Sequence, residues 1–330
     1  MYNDFRQTPQ QYAYQEQQFW LRQLHTQSGM LALACILSIL LLYLLQIIGP
    51  PLMMVVLAPI TRWIPIDMLN ELYTFGVYLL VFLPPFWVYA RVIRFPLRAI
   101  PHDRLYLPIT LSATGIGLGT SAAGVALSMI FAVLFSAFGL YPADIPISIP
   151  NGPITFLLFF CNMTVLPALV EEFINRGILL GSLRPYGDRF AIVVSALLFG
   201  LMHRNMTQFP NAFLMGLVIG YFVVKTNSIW TGIVIHFVNN ALSVLVSLAV
   251  ERMDPLGAIV SQLALFVLYV MLAIAGLVYL RFVRRVDFSI YPSACPVPQG
   301  MIYRKFFGSL PMVLLLILFA WVFFLNFSRW

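Results

Sequence analysis

The chain is predicted to be an all-α polytopic membrane bundle of about eight to nine transmembrane helices, and three observations carry that prediction. It is 61% hydrophobic and only 9% charged, where a soluble domain carries about 25% charged residues. Apolar runs long enough to cross a roughly 30 Å hydrocarbon core recur along nearly all 330 residues. Alternating segments of about ten residues, the mark of a transmembrane β-barrel, are absent.

The first 29 residues are polar and glutamine-rich and lack the cleavage pattern of a signal peptide. They read as a loosely ordered cytoplasmic tail with a surface helix around Phe19-Trp20-Leu21. Residues 30–330 form the transmembrane domain, with spans expected at 30–49, 72–92, 119–141, 154–183, 190–206, 208–224, 228–250, 257–280 and 308–327. Residues 51–60 read as a re-entrant piece or an extension of the first span, and 107–118 as a lead-in to the third. The long span 154–183 is interrupted by Pro167, which lacks the N–H a helix interior needs.

The net charge of +7 does not point to nucleic acid, because the basic residues sit in short loops where orientation signals lie. With the N-terminus inside, 15 Lys and Arg fall on the inner side and 4 (Arg62, Arg204, Arg252, Arg329) on the outer. The bias fits a bacterial plasma-membrane protein with a cytoplasmic N-terminus. Cys35, Cys161 and Cys295 have no paired spacing, which disfavours a disulfide framework or a cysteine zinc site.

Two adjacent carboxylates, Glu171 and Glu172, interrupt an apolar run. Ionisable groups within a membrane are costly, usually partnered and usually functional. Glu172 and Arg176 are four apart, the spacing of an ion pair on one helix face. Glu171 points elsewhere, beside Asn175. At 1.5 Å per residue, Glu171 lies about 20 Å from Arg184, His203 about 21 Å from Arg189 and His236 about 17 Å from Lys225. Three ionisable residues on three spans thus reach similar depth from one face, which suggests one site.

A carboxylate and an imidazole can orient a water and take its proton. A second imidazole and an amide can donate to an oxyanion. The same parts, Glu171, His203 and His236, could instead hold a divalent metal such as zinc, and both options stay open at this stage. There is no HExxH helix. A proton-coupled transporter would also use membrane Glu and His, but no repeated halves are found. A non-catalytic immunity or scaffolding protein of the same fold is the main alternative.

Glu171-Glu172-Phe-Ile-Asn-Arg176 fits EExxxR, Phe199-Gly-Leu-Met-His203 fits FxxxH, and His236-Phe-Val-Asn-Asn240 fits HxxxN, in order on successive spans. Gly177 and Asn227-Ser228 flank these motifs. This pattern, over about residues 154–245, resembles the CPBP family of CAAX prenyl endopeptidases and bacteriocin-processing proteases, also called Abi. The resemblance implies a glutamate-dependent intramembrane protease, often labelled a metalloprotease, with its site open toward the cytoplasmic half. Its partners would be the lipid bilayer and a protein or peptide substrate, including lipidated ones. By position, Glu171 would be the base, His203 its partner on the water, and His236 with Asn240 the oxyanion pair. Glu172, Arg176 and Phe199 would support them. Asn175 departs from the family pattern, which often has an aromatic residue there.

Gly115-Ile-Gly117-Leu-Gly119 lacks the Lys-Ser/Thr and preceding strand of a phosphate loop. Gly115/Gly119 and Gly216/Gly220 are therefore read as close helix contacts.

Overall fold

The computed structural model describes residues 8–57, 59–61, 63–142 and 149–329; Arg6 and Arg62 of the charge count lie outside them. Helices α1 (Pro9–Leu57), α2 (Ile66–Val92) and α3 (Leu107–Ser136) are followed by a short strand β1 (Leu140–Pro142). The next span is α4 (Pro153–Met163), α5 (Val165–Glu172), a π-helix over Phe173–Leu180 and α6 (Gly181–Leu183). Then come α7 (Asp188–Met202), α8 (Phe209–Thr226), α9 (Ile229–Val250), α10 (Pro255–Val278), α11 (Gln299–Phe307) and α12 (Leu310–Leu325). Strand β2 (Phe327–Arg329) pairs antiparallel with β1.

Among the described residues seven stretches of helix are long and apolar enough to cross a membrane, and the pair α11 and α12, bent by 70°, would make an eighth. The expected span 190–206 is the exception. Its helix α7 has 15 residues, about 22 Å, less than a bilayer core requires. Most of α7 is instead buried inside the bundle.

One other expectation is corrected and two are made definite. Residues 9–29, expected as a loose tail, are helical and continuous with the first span. Trp20 meets Tyr186 edge-on, Gln17 Nε2 donates to the Pro296 carbonyl, and Ser28 bonds Phe306 and Ser309. The 51–60 stretch extends α1 as far as Leu57, and the lead-in 107–118 is already helix in α3.

Small residues set the helix contacts that frame the site. A Cβ on Gly115 would lie 2.8 Å from the Leu272 carbonyl, and one on Gly119 2.4 Å from Ala273 Cβ, so α3 and α10 approach backbone to backbone. A Cβ on Gly216 would lie 2.9 Å from Ala196 Cβ, which brings α8 onto α7 beside the glutamates.

Candidate active site

The glutamates lie just after a broken helix. Pro167 cannot donate to the carbonyl four residues earlier, that of Met163. The break falls there: α4 ends at Met163 and Thr164 leaves helical geometry at φ −125° and ψ −63°. The chain resumes in α5 and widens into the π-helix immediately after Glu172. Such widened turns recur at functional sites because they re-aim side chains.

Glu172 and Arg176 are fully buried and joined, Nη1 donating to Oε1 at 2.9 Å. Arg176 Nη2 donates to the Gly216 carbonyl at 3.2 Å, and the guanidinium stacks 4.6 Å from the Phe199 ring centre. The expected i,i+4 pair is thus present, with two further supports.

From α9, His236 Nδ1 lies 2.8 Å from that same Glu172 Oε1. Its other nitrogen, Nε2, is 3.8 Å from Glu171 Oε2. Glu171 Oε1 accepts a hydrogen bond from the Tyr78 hydroxyl on α2. Asn175 does not touch the Glu171 carboxylate; its Nδ2 donates to the Glu171 main-chain carbonyl at 2.8 Å.

His203 follows the end of α7, with Nδ1 2.9 Å from the Phe199 carbonyl. The Phe199 ring meets both imidazoles edge-on, at 5.0 Å for His203 and 5.6 Å for His236. One aromatic ring therefore touches the buried arginine and both histidines. Among the described residues no hydrogen bond joins Glu171 to His203, but both line a cavity of about 200 Å³ with Tyr78, Asn175 and Arg204. A larger cavity of about 480 Å³ is lined by His203, His236, Asn240 and Gln208. Asn240 Oδ1 accepts from Asn239 Nδ2 at 3.3 Å, which leaves its own amide N–H groups available.

The structure therefore brings Glu171, Glu172, Arg176 and His236 into direct contact, sets His203 behind Phe199, and places Asn240 along the larger cavity. Sequence reasoning missed Tyr78, one tyrosine among many apolar span residues with no motif around it. It also missed Gly232, where a Cβ would lie 2.9 Å from Glu172 Oε2.

Metal binding can be weighed on these donors. Among the described residues no three His, Cys, Asp or Glu side chains are grouped to hold an ion, so Glu171, His203 and His236 form no such set. Arg176 and His236 Nδ1 already occupy Glu172 Oε1. The donors as arranged do not fit a metal centre.

Comparison with protein families matches one part of this chain. Residues 153–242 match the Rce1-like family, the type II CAAX prenyl endopeptidases. The matched segment runs from the start of α4 into α9 and contains Glu171, Glu172, Arg176, Phe199, His203, His236 and Asn240. It supports an integral membrane protein with protease function of the CAAX type in general. No curated protein and no solved structure matched the chain.

Proposed function

We propose that the chain is an intramembrane endopeptidase that hydrolyses a peptide bond in a membrane-associated or lipidated protein substrate. The observation that carries this is the placement of His236 between the two glutamates, Nδ1 on Glu172 and Nε2 toward Glu171. Two adjacent acids thereby acquire different surroundings, one neutralised by Arg176 and one facing a cavity. The same reading sets the chain in a bacterial plasma membrane, and the one-sided Lys and Arg distribution supports an N-terminus on the inside.

Glu171 is the base. Its Oε1 is held by Tyr78, and its buried Oε2 has no hydrogen-bond partner among the described residues. A water bound there gives one proton to Glu171 while its oxygen attacks the scissile carbonyl carbon. His203 directs Nδ1–H at the Phe199 carbonyl, which leaves Nε2 to accept the water's second hydrogen. The developing oxyanion takes a hydrogen bond from Asn240 Nδ2 and lies against the His236 imidazole, which Glu172 holds in place. When the C–N bond breaks, the proton on Glu171 passes to the leaving amine, and no covalent enzyme intermediate forms.

The test is incubation of purified protein with candidate membrane peptides, read by mass spectrometry, for wild type, Glu171→Ala and His203→Ala. Cleavage by wild type alone supports the assignment. Equal cleavage by all three shows that the site is elsewhere.

A further inference from the structure

The residues lining the 480 Å³ cavity extend from the histidines toward one end of the bundle. His236 is in the third turn of α9, about 10 Å from its start, and Ser243 lies about 10 Å further along the same helix. Beyond the histidines the wall continues through Ser128 and Ala132, late in α3, Thr207 in the loop before α8, and Asn211 in the first turn of α8. That end carries the loops 203–208 and 251–254.

The opposite end is closed. Ile100 and Ile229 side chains reach within 3.5 Å of where a Gly177 Cβ would stand, and Val223 and Ile219 press against Gly232 in the same way. Ile178, Leu180 and Leu183 are fully buried in the intervening turns. The loop before α3 is stapled across this end by main-chain bonds from Asp103 to Asn227 and from Ile229 to Pro101, and by Ser228 Oγ on the Asp103 carbonyl.

Charge separates the two ends. The closed end carries loops 91–104, 184–189 and 281–285 with most of the lysine and arginine, whereas the described residues of the open end contribute Arg204, Arg252 and Arg329. Basic loops of this kind stay in the cytoplasm.

We infer that the substrate peptide enters along the 480 Å³ cavity from the basic-poor, non-cytoplasmic face of the membrane and meets Glu171 across the smaller adjoining cavity, which shares Phe199, His203 and Gln208 with it. This deepens the protease reading and rests on it for what occupies the cavity, and it reverses the cytoplasmic opening that the motif resemblance implied. The walls suit an extended peptide: hydroxyl and amide groups of Ser128, Thr207, Gln208 and Asn239 line them. Asn211 Oδ1 is buried there against Gly124 of α3, without a hydrogen-bond partner among the described residues. The substrate class is a membrane-anchored protein whose cleavage site emerges at the non-cytoplasmic interface.

Access can be read without turnover, in intact cells producing the full chain with Cys35, Cys161 and Cys295 replaced by alanine. Single cysteines are placed in the cavity wall (Ser243→Cys), in the half-buried loop that borders it (Thr207→Cys) and at the closed end (Arg98→Cys). Each is probed with a membrane-impermeant charged maleimide, after a detergent size profile matching wild type. The inference expects Ser243→Cys and Thr207→Cys to react in intact cells and Arg98→Cys only after the membrane is opened. Reaction of the cavity cysteines on the same side as Arg98→Cys overturns the direction of the cavity. The reverse pattern, with Arg98→Cys labelled from outside, overturns the assignment of the face. No reaction at Ser243→Cys even in opened membranes shows a cavity closed to water and also overturns it. Cleavage assays test the protease reading separately, so the two failures are distinguishable.

Discussion

His236 Nδ1 lies 2.8 Å from Glu172 Oε1, the oxygen that also accepts from Arg176. Glu172 is thus the anchor of the site: it balances a buried guanidinium, fixes an imidazole from another helix, and leaves its neighbour Glu171 to face the cavity. Five predictions follow from this division of roles.

Arg176→Ala is expected to lower stability by about 3–5 kcal/mol, because it leaves Glu172 buried without its counter-charge. Thermal unfolding in detergent should show the loss, and activity should fall with it. An unchanged melting temperature would show that Glu172 does not depend on the pair.

Tyr78→Phe removes a hydroxyl that donates to the Glu171 carboxylate and little else. Hydrogen bonds to charged groups contribute about 1.5–3 kcal/mol, so kcat is expected to fall roughly 10- to 100-fold while the melting temperature stays near wild type. Unaltered kcat would remove Tyr78 from the site.

Gly232→Ala would set a methyl group 2.9 Å from Glu172 Oε2 and 2.8 Å from Val223 Cγ2. The crowding is expected to cost about 1–3 kcal/mol. It should reduce activity by displacing Glu172 and with it His236. Wild-type activity in this variant would show that the anchor tolerates displacement.

Phe199→Leu keeps an apolar side chain but loses the ring that the Arg176 guanidinium stacks on and that both imidazoles touch. A loss of about 1–2 kcal/mol in stability is expected, together with lower kcat as His203 loses its edge contact. Retention of both would make the FxxxH phenylalanine simple packing.

Legibility in the sequence followed the range of the forces involved. The Glu172–Arg176 pair was readable because i,i+4 spacing is a local property of a helix. The common depth of Glu171, His203 and His236 was readable from residue counts, and the structure brings all three to adjoining cavities. Which histidine meets which glutamate was not readable, since it depends on how α5, α7 and α9 pack. Counting along ideal helices also missed the π-helix at Phe173–Leu180, which changes the angle between neighbouring side chains. Pro167 foretold a break, and Thr164 is where the missing N–H puts it. The helicity of residues 9–29 escaped notice because their partners, Tyr186, Pro296 and Phe306, are far away in the chain. The length of α7 could not be judged from hydropathy, because a short buried helix and a span are equally apolar.

The most direct test of the central claim compares Glu171→Gln with Glu172→Gln in the same preparation, reading peptide cleavage and melting temperature together. Glu171→Gln is expected to melt near wild type and to lose cleavage by about 10²- to 10⁴-fold, the usual contribution of a general base. Glu172→Gln is expected to melt markedly lower, because Arg176 is left without its charge partner. Cleavage by Glu171→Gln at the wild-type rate would contradict the account.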